Sequence, residues 1–293
     1  MRMKIDRKGC IAAISSGFLY GVLPLAILSV SSNKDVTSSF VLMLRMFFAS
    51  IFLLPVAVLK KGFAAMTRAH VMNTFAASFF LTVTSILIYS AYLFVPSGIG
   101  MAVHYTYPIF CTVINLFIFR EKPSLSIWIC IIFSVFGVAL LSDLGRSGEG
   151  SMLGLGLALI SSLTFTCYLE WLERKNLRSI DCVSYTCLMC LFSGLTLLVY
   201  NAFTGALAVQ LQSQNFVMFP LIGLIAALAI VTQAYAVPKI GSMYASIFGT
   251  TEPIVCAIAG FLFLGEALTA KSLIGIFLVL FAVVVITVAE EKS

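Results

Sequence analysis

The chain has 293 residues, of which 61% are hydrophobic and 10% charged, with a net charge of +6 and a mean hydropathy of +1.08. A soluble domain carries about 25% charged residues, and 25 Phe with so few charges leave too little polar surface to cover a fold in water. A soluble enzyme and a secreted disulfide scaffold are excluded; the positive charge has no basic face or reading motif behind it, so membrane lipid rather than nucleic acid is the expected partner.

A transmembrane helix needs about 20 apolar residues. Ten runs qualify, at 10–30, 38–59, 71–94, 97–119, 124–142, 152–172, 182–202, 216–237, 241–264 and 270–289. The period-two alternation of a barrel strand is absent, so an all-α membrane protein of ten transmembrane helices is expected. The first run follows Arg2, Lys4, Arg7 and Lys8, as in a signal peptide. It exceeds the ~7–15 residues of an h-region, and it is expected to remain as a span. The connections, such as 120–123, are too short for a soluble domain.

Ten spans put both ends of the chain on one side. With those ends inside, fourteen of the eighteen Lys and Arg fall in inside loops. Three fall outside (Lys34, Arg146 and Lys271), and Arg45 lies within a span. That bias obeys the positive-inside rule. Arg45 and Glu252 are the charges that remain clearly inside spans.

The chain repeats itself. Gly98-Ile99-Gly100-Met101-Ala102-Val103-His104-Tyr105-Thr106-Tyr107-Pro108 aligns with Met243-Tyr244-Ala245-Ser246-Ile247-Phe248-Gly249-Thr250-Thr251-Glu252-Pro253 at an offset of 145, which also sets Glu121 on Glu266. Ala12-Ala13-Ile14-Ser15-Ser16 matches Ala158-Leu159-Ile160-Ser161-Ser162, and Ala91-Tyr92 echoes Ala234-Tyr235. Two halves, 1–145 and 146–293, of five spans each are expected. Five is odd, so the second half enters the membrane from the opposite side, and the halves are inverted-topology repeats. Such repeats underlie alternating access around a site near the midplane. The plainer alternative is a duplicated structural membrane protein.

Five plus five spans, a Pro inside spans four and nine and a Glu closing each resemble the drug/metabolite transporter superfamily. Tyr105-Thr106-Tyr107-Pro108-Ile109-Phe110 with Phe119-Arg120-Glu121, Thr251-Glu252-Pro253-Ile254-Val255 with Leu264-Gly265-Glu266, and Arg45-Met46-Phe47-Phe48-Ala49 resemble segments of its EamA family. Each motif is short; their order and spacing over nearly the whole chain carry the likeness. The resemblance implies a carrier of the plasma (inner) membrane, often an exporter of metabolites or amino acids. It does not name the cargo.

Glu252 lies about eleven residues into its span, close to the bilayer centre, where a charge costs at least ~2.5–3.5 kcal/mol. It is read either as a proton or substrate-amine site or as a protonated group locking two helices. Arg45 is read as a snorkelling or pairing residue or as a gating or anion contact. His104 is read as a relay or substrate ligand or as a polar group bonded to a neighbour. It shares a helical face with Met101, Tyr105 and Pro108, opposite a face of span nine bearing Ala245, Gly249, Glu252 and Cys256. Tyr105, Tyr89 and Gln233 complete the expected substrate or coupling site. Pro108 and Pro253 break their helices at the cavity and free a carbonyl. Gly17 and Gly21 are read as helix packing. Glu121 and Glu266 are read as caps or partners of loop cations. The eight Cys are dispersed, with no metal spacing, so no metal or cofactor is expected.

The expected function is a secondary active transporter, an exporter of small metabolites, amino acids or drugs, working by alternating access with protons as the coupling ion. Its termini are expected to be cytoplasmic and its state monomer or homodimer. An uncoupled facilitative channel and a membrane-embedded receptor or enzyme are the alternatives.

Overall fold

The computed structural model describes residues 6–31, 36–95, 97–121, 123–141, 151–174, 180–207, 215–264 and 269–291. Among them there is no strand. The helices are α1 (Arg7–Ser31), α2 (Ser38–Leu59), α3 (Arg68–Ala91), α4 (Ser97–His104), α5 (Tyr107–Phe117), α6 (Leu125–Leu141), α7 (Met152–Arg174), α8 (Cys182–Thr204), α9 (Asn215–Ile240), α10 (Ser242–Gly249), α11 (Thr251–Leu264) and α12 (Ala270–Glu291). A short 3-10 turn, Gly62–Ala65, joins α2 to α3. Seven helical stretches among the described residues are long and apolar enough to cross a membrane. Two of these, 99–117 and 242–263, run through the α4/α5 and α10/α11 breaks. Leu125–Leu140 and Leu273–Val285 are apolar but shorter.

Capping residues fix several ends. Thr37 accepts from the Phe40 N–H at 3.3 Å and starts α2. Thr67 and His70 form a reciprocal box that starts α3 three residues before the run 71–94; polar Arg68 and His70 enter the helix because the box satisfies the N–H groups of Thr67 and His70. Asp181 starts α8 by accepting from the Ser184 N–H at 2.9 Å, and Gly205, at φ +72°, ends it in a left-handed turn. Burial alone would raise the Asp181 carboxyl, but the Ser184 N–H and Lys60, 3.1 Å away, outweigh it and hold it below the usual range. This cap is therefore charged at neutral pH and is lost only as pH falls through that lowered value.

The helices pack in a set of pairs. α1 lies along α9 and against α10 and α11; α3 lies along α7 and α8; α2 packs on α8 and α9. α4 and α5 lie on α7, α5 touches α10, and α6 pairs with α12. Small and hydroxylated residues sit where helices meet, because lipid gives apolar side chains no net drive to associate. Ser16 donates to the Ala229 carbonyl at 2.9 Å, Ser50 to the Cys187 carbonyl at 3.1 Å, and Thr84 meets Thr164 at 2.8 Å. The outer surface is the reverse of a soluble protein's: Leu59, Phe117, Phe203 and Phe263 are all exposed.

Candidate functional site

The site forms where α4/α5 and α10/α11 are broken. Pro108 has no N–H to offer the His104 carbonyl, and Pro253 has none for the Gly249 carbonyl. The helices stop at those two residues and restart at Tyr107 and Thr251. Threonines take up carbonyls at both breaks. Thr106 donates to Val103 at 2.7 Å, and Thr251 donates to Phe248 at 2.9 Å.

A cavity of about 20 Å³ lies between the breaks. Its polar lining includes Ser16 and Tyr20 of α1, Tyr107, Gln233 of α9, and Glu252. Gly17 and Gly21 let α1 come this close. A Cβ at Gly21 would stand 2.6 Å from the Glu252 carbonyl oxygen, as a packing role requires, and Gly17 also lines the cavity. The space suits about one water molecule.

Glu252 is partly buried, and the accessible part faces this cavity. The Tyr105 hydroxyl is within hydrogen-bonding reach of its carboxyl, and the buried Arg45 guanidinium is near enough to act on it electrostatically. Arg45 acts likewise on Tyr20 and Tyr89. Arg45 Nε, the Tyr20 hydroxyl and Gln233 Oε1 are buried and have no hydrogen-bond partner among the described residues. An unsatisfied buried polar atom costs about 1–3 kcal/mol. Several around one carboxyl mark a region built to contact something polar.

His104 is placed differently. Its Nδ1 is 2.9 Å from the Ser161 hydroxyl of α7, and its ring lies among Tyr105, Tyr107 and Phe165. It stands behind the cavity wall, against Tyr107 and Phe165 of the lining. Thus Glu252 and Gln233 line one cavity and Tyr105 reaches the Glu252 carboxyl, with Arg45 and Tyr89 farther out, and His104 is held to one side.

A second cluster was not foreseen from the sequence. Glu170 lies inside α7 and is buried, so Arg45 and Glu252 are not the only charges within spans. Asn115 of α5 donates to Glu170 at 2.6 Å, the Ser242 hydroxyl of α10 also donates to it, and Arg174 reaches its other oxygen at 3.2 Å. Arg174 also donates to the Asn115 side-chain amide oxygen and pairs with Glu121 at 3.0 Å. Glu173 accepts from the Ser242 N–H at 2.7 Å, capping α10. Glu121 thus pairs with a cation, while Glu266 lies outside the described residues. The signal in the sequence was Glu170 and Arg174 four apart on one helix.

Comparison with known proteins gives three findings. The model of the EamA-like transporter family matches this chain twice, at residues 7–143 and 149–288. The uncharacterized transporter sll1319 of Synechocystis sp. is 26% identical over 225 residues, 74% of this chain. The match spans 66% of that relative's length, a little under two thirds. A solved crystal structure shares the fold, with a TM-score of 0.82 over 97% of this chain and 98% of its own at 12% identity.

Proposed function

This chain belongs to the EamA-like transporter family, and from that premise we propose that it is a secondary active transporter of small metabolites, amino acids or drugs. In this reading it exports its cargo across the plasma (inner) membrane by alternating access, coupled to protons, with both termini cytoplasmic and ten spans in two inverted halves. The observation that carries the reading is the cavity itself: Glu252 and Tyr107, equivalent positions 145 residues apart, line one small space between two broken spans.

Several features support two halves. The family matches twice, once on each side of residue 146. Packing partners exchange when the halves are exchanged: α1 on α9 corresponds to α7 on α3, and α2 on α9 to α8 on α3. The pairs α2–α8 and α6–α12 map onto themselves. The Thr106–Val103 and Thr251–Phe248 bonds lie at the same offset of 145.

In the proposed cycle the Glu252 carboxyl carries the proton. The Arg45 guanidinium and the Tyr105 hydroxyl lie near it, and cargo and proton occupy it in turn. A 20 Å³ cavity holds no metabolite, so the space around Glu252 must widen to load cargo. The same size argues against a conducting pore in this conformation.

The test is the full-length protein in liposomes with a panel of labelled amino acids and metabolites. Saturable uptake accelerated by unlabelled solute on the far side is expected for at least one. Conductance without such exchange would contradict the carrier and favour the uncoupled channel.

A further inference from the structure

Two contacts in this fold are the same contact. At Gly9, in the first turn of α1, a Cβ would stand 2.6 Å from Ile240 Cγ2, 3.2 Å from Lys239 Cβ and 3.8 Å from the Ala236 carbonyl oxygen. At Gly154, in the first turn of α7, a Cβ would stand 2.7 Å from Val95 Cγ1, 2.9 Å from Phe94 Cβ and 3.3 Å from the Ala91 carbonyl oxygen. All four positions of the first set map onto the second at the offset of 145. Each glycine lets the start of one helix press on the end of another, α1 on α9 and α7 on the end of α3.

We infer that these two seams are the opposing gates of the transport cycle, and that Gly9 and Gly154 are the seats on which they close. The inference rests on the proposed carrier reading, which sets the α1–α9 seam at the inner end of the bundle and the α7–α3 seam at the outer end. Both seams are shut in the structure, and between them lies the small cavity around Glu252. α1 and α9 both contribute to its wall, through Ser16 and Gln233. A parting of α1 from α9 would therefore open the cavity from that end.

The seams tolerate no added bulk. Ile240 and Val95 are buried and β-branched, so neither methyl can swing away. A methyl at either glycine must push the helices apart. The inner seam has a further tie, Asp6 to Lys239 at 3.2 Å; at the outer seam Phe94 takes the place of Lys239. Alternating access allows one gate to open only as the other shuts. Each glycine substitution should therefore act on both seams in opposite senses.

The experiment is hydrogen–deuterium exchange on the full-length protein in lipid nanodiscs, following residues 236–240 and 91–95. Gly9→Ala should raise exchange at 236–240 at least about tenfold and lower it at 91–95; Gly154→Ala should do the reverse. Gly9→Ala combined with Ile240→Ala gives the methyl room and should return both seams to wild-type exchange. If a glycine variant fails to fold, Ile240→Ala and Val95→Ala alone carry the test, each loosening its own seam and tightening the other. A folded variant in which both seams loosen, or the far seam does not change, overturns the inference. Counterflow on the same wild-type preparation separates the two readings. Counterflow without opposed seam shifts overturns the gates alone, and opposed shifts in a protein without counterflow overturn the carrier reading.

Discussion

In the first broken span α4 stops at His104, Thr106 takes up the Val103 carbonyl, and Pro108 opens α5; in the second, α10 stops at Gly249, Thr251 takes up the Phe248 carbonyl, and Pro253 follows. The backbone is similar because each Pro lacks an N–H and the Thr two residues before it bonds the carbonyl three residues back. The side chains are not the same. Tyr107 stands where the second span has Glu252, and His104 where it has Gly249. The Tyr107 hydroxyl sits directly over Gly249, in space that any side chain there would fill. One break thus supplies an aromatic wall and the other a carboxyl with room beside it. Of the two breaks, only the second carries a carboxyl at this position.

The largest expected effect on the fold comes from the tie between the two breaks rather than from either. Glu170→Ala leaves Asn115, Ser242 and Arg174 without their shared acceptor. It should lower stability by ~1–3 kcal/mol, below the full value for a buried pair because Arg174 is a quarter exposed. A thermal melt in detergent checks this, and an unchanged midpoint would show that α5 and α10 are not held through Glu170. Tyr107→Phe sharpens the difference between the breaks. It should raise the KM for cargo a few-fold and leave the pH profile in place; a moved profile would give the first break a share of the proton chemistry. His104→Gln should have the least effect, about 1 kcal/mol of stability for the Ser161 bond, with transport keeping its pH dependence. Loss of that dependence would make His104 a relay and contradict its place behind the wall.

Much of this was legible in the sequence. The bounds 38–59 coincide with α2 because an apolar run lies between Thr37 and a Lys pair. The offset of 145 was visible in short motifs, and it reappears in hydrogen bonds and glycine contacts that no motif displays. Glu252, Arg45, Tyr105 and Gln233 could be nominated because polar groups within apolar runs need a reason. Their convergence could not be read, since it depends on α1, α2, α9 and two half-helices meeting. Glu170 was passed over for a physical reason. It lies near the end of α7 beside Glu173 and Arg174, and a charge near a helix end resembles a solvated one until its partners from α5 and α10 are known. The placement of His104 could not be read either, because its partner Ser161 is 57 residues away.

The central claim is that Glu252 carries the coupling proton, and Glu252→Gln tests it most directly. Wild-type and variant liposomes would be compared for cargo accumulation driven by a pH gradient and for counterflow without one. The account predicts that the variant retains counterflow and loses gradient-driven accumulation. A variant that accumulates cargo with the full pH dependence of wild type would contradict it.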